Sequence, residues 1–279
     1  MSSSITDLDI ETEKLNPDLE QYYQDFNSNY YQSMQILSER VKKGDTQDLD
    51  NMMFVHCGLS IPFFNNLYVI DPNQIKNMPW QGADSFFRDK DLDYQIVLSG
   101  EYTDSIEGQL FSEGYVKEGC LPAMVFDSEY KDLSKPSIYD QLRIERVVNE
   151  KQHLDFKSIV TSAFGMVDFI TDRILNSDFA FYKGHELYVA YLDDQPVSTS
   201  LLFISHGVAG IYWVATDEMM RGKGLGEAVA YHATLEGLKL GCRFASLQAT
   251  ELGAPVYQKL GYRKLYTYNK YTKKIKKDT

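Results

Sequence analysis

"RGKGLG", Arg221 to Gly226, puts three glycines into six residues between a β-branched, aromatic run, "GIYWVAT" (210–216), and a run of helical character, "EAVAYHATLEGLKL" (227–240). A strand that turns through glycine into a helix gathers unpaired N–H groups and the positive end of a helix dipole at one point. The missing Cβ atoms let an anion approach that backbone closely. Arg221 and Lys223 add positive charge at the rim. The competing reading is a plain strand-to-helix turn with solvated charges. As a phosphate-binding turn it has three possible forms. A nucleoside-triphosphate loop requires G-x-x-x-x-G-K-S/T, and here Lys223 is followed by Gly224. A dinucleotide fingerprint requires G-x-G-x-x-G, but counting from Gly222 the last position is Glu227, and no acidic ribose partner is suitably placed. The third form, R-x-x-G-x-G between a strand and a long helix, fits Arg221, Gly224 and Gly226.

Outward from the turn, apolar periodicity orders the neighbouring elements. "RIERVV" (143–148) reads as a strand, and "HLDFKSIVTSAFG" and "MVDFITDRILNS" (153–177) space their apolar residues as helices do. "ELYVAYL" and "PVSTSLLFIS" flank the turn "DDQP" as a β-hairpin, with "GIYWVAT" as the next strand. After the turn and its helix, "CRFASLQA" is a strand, "APVYQKLG" a short helix closed by Gly261, and "YRKLYTYNKY" a final strand. This alternation predicts an α/β fold, a mixed central sheet flanked by helices.

The first half repeats this plan faintly. "SIPFFNNLYVID" ends at Asp71 as "SHGVAGIYWVATD" ends at Asp217, and "FSEGYVKEGCLPAMVFD" parallels "YQKLGYRKLYTYNKY". A helix ("PNQIKNMPWQGADSFFRD") and a strand ("YQIVLSG") lie between. We expect two tandem copies, with chance likeness of short strand–helix–strand units as the alternative. The first copy has no Gly-rich turn, and aligning Gly114 with Gly261 sets Leu110 where the second has Tyr257. Charge divides the chain at the same place. Residues 1–139 hold 10 Lys and Arg against 24 Asp and Glu, and 140–279 hold 18 against 16. The polar, Pro136-bearing "SEYKDLSKPSIYD" (128–140) reads as the linker between domains 1–139 and 140–279.

The formal charge of −12 excludes a dedicated nucleic-acid binder. No apolar run approaches a membrane span, and "MSSSITDLDIETEKL" has no secretory pattern, so it reads as a polar leader. Cys57, Cys120 and Cys242 lack metal-ligand spacing and suggest neither a metal nor a disulfide framework, so the expected compartment is the cytoplasm. His56 beside Cys57 has no partner pattern for a catalytic dyad, and His232 reads as a packed helical residue. The aromatic residues at 22, 23, 30, 31, 63, 64, 86 and 87 are expected in the core. "KKIKK" (273–277) reads as a solvated tail.

Over residues 142–272 the sequence resembles the GNAT superfamily of acyl-CoA-dependent N-acyltransferases. The likeness rests on "VATDEMMRGKGLGEAV" and, about forty residues on, "ATELGAPVYQKLGYRK" with its Leu260-Gly261-Tyr262 ending. The first half resembles a degenerate copy. The resemblance implies that acetyl-CoA is the co-substrate, its pyrophosphate on Arg221, Gly222, Lys223, Gly224, Leu225 and Gly226, and its pantetheine arm along the backbone of Val214, Ala215 and Thr216. The Val214 N–H would polarise the acetyl carbonyl, and Tyr257 would protonate the leaving thiolate as general acid. A small-molecule or peptide primary amine would attack directly, with no metal. No general base is named: the strand before the turn has no acidic residue ahead of Asp217, and Thr250 stands where many members have Asn. Glu251 follows the next strand but reads as a solvated helix start. The acidic first half would wall the acceptor cleft and favour a cationic amine. The alternative function is a non-catalytic acyl-CoA-binding or protein-interaction module, and an acyl group other than acetyl is open.

Overall fold

The computed structural model describes residues 17–49, 51–71, 80–103, 105–251 and 253–275. The N-terminal leader, the start of the expected 72–89 helix and the end of the basic tail lie outside the described residues. The described elements begin with α1 (Pro17–Glu39), then β1 (Asp45–Leu49), β2 (Met52–His56), β3 (Asn65–Val69), α2 (Trp80–Arg88) and β4 (Tyr94–Ser99). Two short helices, α3 (Gly100–Thr103) and α4 (Glu107–Ser112), lead to the long strand β5 (Val116–Phe126). Past the irregular, Pro136-bearing segment come β6 (Arg143–Arg146), α5 (Glu150–Phe164), α6 (Asp168–Ile174) and α7 (Ser177–Ala180). Next are β7 (His185–Leu192), β8 (Gln195–Ser205), β9 (Val208–Thr216) and α8 (Leu225–Lys239). The chain ends with β10 (Phe244–Gln248), α9 (Ala254–Leu260) and β11 (Arg263–Lys273).

The fold is α/β, with the eleven strands of the described residues in one mixed sheet of order β1-β2-β3-β4-β11-β5-β10-β9-β8-β7-β6. Two neighbouring pairs are parallel, β3 with β4 and β9 with β10, and each follows a run of antiparallel strands. That repeats one plan in both halves. The β7–β8 hairpin turns through Asp193 and Asp194 at φ 49° and 61°, the left-handed pair that a two-residue hairpin requires. The halves are not laid side by side. β11, from the end of the chain, pairs with β4 and β5 of the first half, while β5 pairs with β10 of the second.

Alternation along the strands divides the core between the two faces. Leu202 and Ala209 pack under α8 with Ala230 and Ala233. Leu201, Phe203 and Val208 pack on the other face, with Phe26 and Tyr30 of α1 and Phe156 and Val160 of α5. The sequence reading did not anticipate α1 or the β1–β2 hairpin. Of the aromatic residues expected in the core, Tyr22, Tyr30, Phe64, Phe86 and Phe87 are buried, whereas Phe63 is 44% exposed.

Candidate active site

β9 and β10 are neighbours only from Val208 to Gly210, opposite Phe244 to Ser246, and beyond Gly210 they part. On its other edge β9 is bulged: Thr199 faces Ala215 and Leu201 faces Tyr212, so Ser200 stands opposite both Trp213 and Val214. Trp213 takes φ 49°, a conformation that costs a bulky residue on the order of 1–2 kcal/mol. β8 holds the bulge with a buried polar triplet. Thr199 Oγ1 donates to the Trp213 carbonyl at 3.1 Å, Ser198 Oγ to the Ala215 carbonyl at 2.6 Å, and Ser200 Oγ to Val229 of α8 at 3.1 Å. The sequence reading missed these residues. Their signal was "STS" at 198–200, three adjacent hydroxyls in an otherwise apolar run.

Past Thr216, Asp217 Oδ1 accepts the Met219 N–H at 3.0 Å and starts a single 3₁₀ turn. Gly222 and Gly224 follow at φ 79° and 77°, and Gly224 opens α8 without any side-chain cap. The first helical N–H groups, on Leu225, Gly226 and Glu227, therefore stand ready for an anion, with the helix dipole behind them. Leu225 contributes backbone alone, since its side chain is buried with Ala190, Val197 and Val229. A Cβ on Gly226 would come within 3.2 Å of Thr216 Oγ1, so this glycine sets how closely α8 abuts β9. Arg221 is partly engaged, donating to the Ala163 carbonyl at the end of α5 at 2.9 Å, whereas Lys223 is exposed beside Met220. This uncapped, glycine-lined turn fits a diphosphate.

Tyr257 lies in α9, which Pro255 starts and Gly261, at φ 112°, stops. The Gly261 and Tyr262 N–H groups close the helix onto the carbonyls of Gln258 and Tyr257, at 3.1 and 3.0 Å. α4 ends the same way, Gly114 and Tyr115 donating to Phe111 and Leu110 at 3.1 and 3.0 Å. Leu110 and Tyr257 thus occupy one position in two copies of a turn. Leu110 is sealed in the core, and Tyr257 is half-buried and lines a cavity. Burial pushes the Tyr257 phenol up to about 12, so it stays protonated at neutral pH.

The cavity has a volume of about 500 Å³ and threads the gap between β9 and β10. Its lining includes Tyr257, Val214 and Thr250 together with Phe179, His185 and Phe203. The first half lends it Tyr30, Ser33, Met34, Leu37, Phe63 and Leu121. Other singled-out residues lie elsewhere. Cys57 is fully buried, its thiol pushed up to about 12 by burial, and His56 Nδ1 accepts the Gly58 N–H. His232 shares a 2.8 Å hydrogen bond with the Tyr139 hydroxyl and packs edge-on against Tyr188. Glu251 is exposed.

Residues 183–264 match the family model described as acetyltransferase (GNAT) domain. That span is similar to a GNAT acetyltransferase domain, which supports acyltransferase activity, and it contains the bulge, the glycine turn and Tyr257. Solved structures extend the likeness in fold to nearly the whole chain. A GCN5-related N-acetyltransferase from Kribbella flavida is 19% identical, with 88% of this chain and 94% of that one covered at a TM-score of 0.66. One from Sphaerobacter thermophilus is 16% identical, with 84% of each chain covered at 0.62. A tandem GNAT protein from the clavulanic acid biosynthesis pathway is 12% identical, with 95% and 97% covered at 0.60. No curated protein matches the sequence significantly. Among the described residues no helix is long and apolar enough to cross a membrane, and no cluster of His, Cys, Asp and Glu could hold a metal.

Proposed function

We propose that the chain transfers an acetyl group from acetyl-CoA to a primary amine by direct attack, with Tyr257 as general acid. The observation that carries this reading is the cavity lined by the bulged strand, at Trp213 and Val214, and by a protonated tyrosine, with the uncapped glycine turn following on the same strand. The N–H groups of 222–226, with Arg221 and Lys223, hold the pyrophosphate. The free edge of Val214, Ala215 and Thr216 hydrogen-bonds the pantetheine amides as an added strand would. The Val214 N–H, displaced by the bulge, stabilises the oxyanion that forms on the acetyl carbonyl. The phenol of Tyr257 gives its proton to the departing thiolate. Residues 140–279 supply this chemistry, and residues 1–139 wall the acceptor end. Three unpaired cysteines and a net acidic charge suit a cytoplasmic enzyme that acts on a small molecule or peptide and not on nucleic acid.

Thiol release from acetyl-CoA across an amine library tests this. Tyr257→Phe should lower kcat on the order of 10²-fold and leave the KM for acetyl-CoA within about twofold. Binding of coenzyme A without turnover of any amine would favour a non-catalytic acyl-CoA-binding module instead.

A further inference from the structure

The cavity also bears on the second substrate. We propose that the acceptor is an aromatic amine, uncharged at neutral pH, whose flat apolar body fills the cavity on the α1 and α5 side of the sheet. This rests on the acyl-transfer reading and extends it to the acceptor.

An amine attacks a thioester only through a free lone pair. An alkylamine resembling lysine, of pKa about 10.4, is almost wholly protonated at pH 7 and must lose that proton first. A site built for it needs a carboxylate to hold the cation and a base to discharge it. Among the described residues the lining holds no Asp, Glu, Lys or Arg. Its titratable groups are His185 on β7, Tyr30 on α1, Tyr212 on β9 and Tyr257 on α9. Burial pushes the His185 imidazole down to about 4 and all three phenols up, so none takes a proton from an ammonium near pH 7. The nearest carboxylates in sequence are turned to other work or to solvent. Asp217 caps its own turn, Glu218 lies 3.8 Å from Arg221, and Glu251 is exposed.

The acidity of the first half places no carboxylate in the lining, since the six residues it contributes are all uncharged. The cationic acceptor expected from net charge therefore finds no anionic partner there. Moving an ammonium into this lining would strip its hydration with no anion to offset the loss. A neutral ring instead gains from burying its apolar surface against Tyr30, Phe203 and Trp213. In the step itself, the amine nitrogen bonds the acetyl carbon and the carbon–sulfur bond breaks. The thiolate takes the Tyr257 proton, and the proton shed by nitrogen passes to water, from which the phenoxide recovers its own. No enzyme base is required.

The test is thiol release from acetyl-CoA between pH 6 and 9 with aniline, benzylamine, spermidine and glucosamine, alongside the melting shift produced by coenzyme A. Aniline should exceed benzylamine at least tenfold in kcat/KM at pH 7, and its rate should stay flat with pH. The benzylamine rate should rise about tenfold per pH unit as its own ammonium deprotonates. Ser33→Asp, which sets a carboxylate on the α1 wall, should narrow the gap between the two amines while the coenzyme A shift persists. Preference for spermidine or glucosamine would overturn the inference and leave acyl transfer standing. A pH-dependent aniline rate that reports an enzyme group would do the same, as would octanoyl-CoA outpacing acetyl-CoA tenfold, since the cavity would then hold the acyl tail. Absence of turnover with every amine, despite a coenzyme A melting shift, would overturn both readings.

Discussion

Leu110 and Tyr257 differ by little more than a ring and a hydroxyl, yet they stand at one place in two copies of the same helix-ending turn. The difference leaves the first copy without the phenol that we propose as the acid in the second. Two other residues carry predictions at this scale. Gly224 opens α8 at φ 77°, so Gly224→Ala should cost about 1 kcal/mol in backbone strain. The strain falls on the turn proposed to receive the diphosphate, so coenzyme A affinity measured by calorimetry should drop about fivefold. His185 is 7% exposed, and burial lowers its pKa from 6.5 to about 4. Above pH 6.5 the imidazole is neutral in both folded and unfolded chains and contributes no pH dependence. Between 6.5 and about 4 the unfolded chain takes up a proton that the folded chain refuses, so stability falls on acidification, by roughly 2–4 kcal/mol at the lower end. Urea melts from pH 7 to 4 should show this loss in the wild type and a smaller loss in His185→Leu.

Among the elements, the seam between α8 and β9 fixes the geometry of the turn that joins them. Gly237 faces β9 so closely that a Cβ there would overlap the Cβ of Ala209. Gly237→Val should therefore force α8 off the sheet and destabilise the protein by roughly 1–3 kcal/mol. Chemical denaturation would measure that loss, and a weakened coenzyme A melting shift would show that the turn had moved with the helix. The seam was half legible in the sequence. "RGKGLG" located the turn, and apolar patterning found the strands and helices after residue 142 other than the four-residue α7. The bulge was not legible as backbone, since no residue type compels φ 49° at Trp213. It was encoded one strand away, in the Ser198 and Thr199 hydroxyls that donate to the Ala215 and Trp213 carbonyls of the bulged strand. The helix α1 escaped notice because its aromatic residues serve several surfaces at once, with Tyr30 on the cavity and Phe26 packed edge-on against Tyr266.

For the molecule as a whole, charge and linker composition placed a boundary near residue 140, but pairing between strands distant in sequence leaves no local trace, and the exchange of β5 and β11 could not be read. Its consequence is mutual dependence. β11 lies between β4 and β5, so one terminal strand closes the ladder of the first half and joins it to the second. Tyr268 of β11 reaches further, bonding Asn27 of α1 beneath the sheet. Ending the chain at Tyr262 would keep the glycine turn and Tyr257 in sequence while removing all of β11. If the halves were independent, such a truncation would unfold neither the first half nor the coenzyme site. The exchanged sheet predicts the opposite outcome. Hydrogen exchange should show lost protection in β4 as well as in β5, and the coenzyme A melting shift should vanish although no residue of the turn has been touched. Adding residues 263–279 back as a peptide should restore protection in both strands together, because one strand completes both ladders.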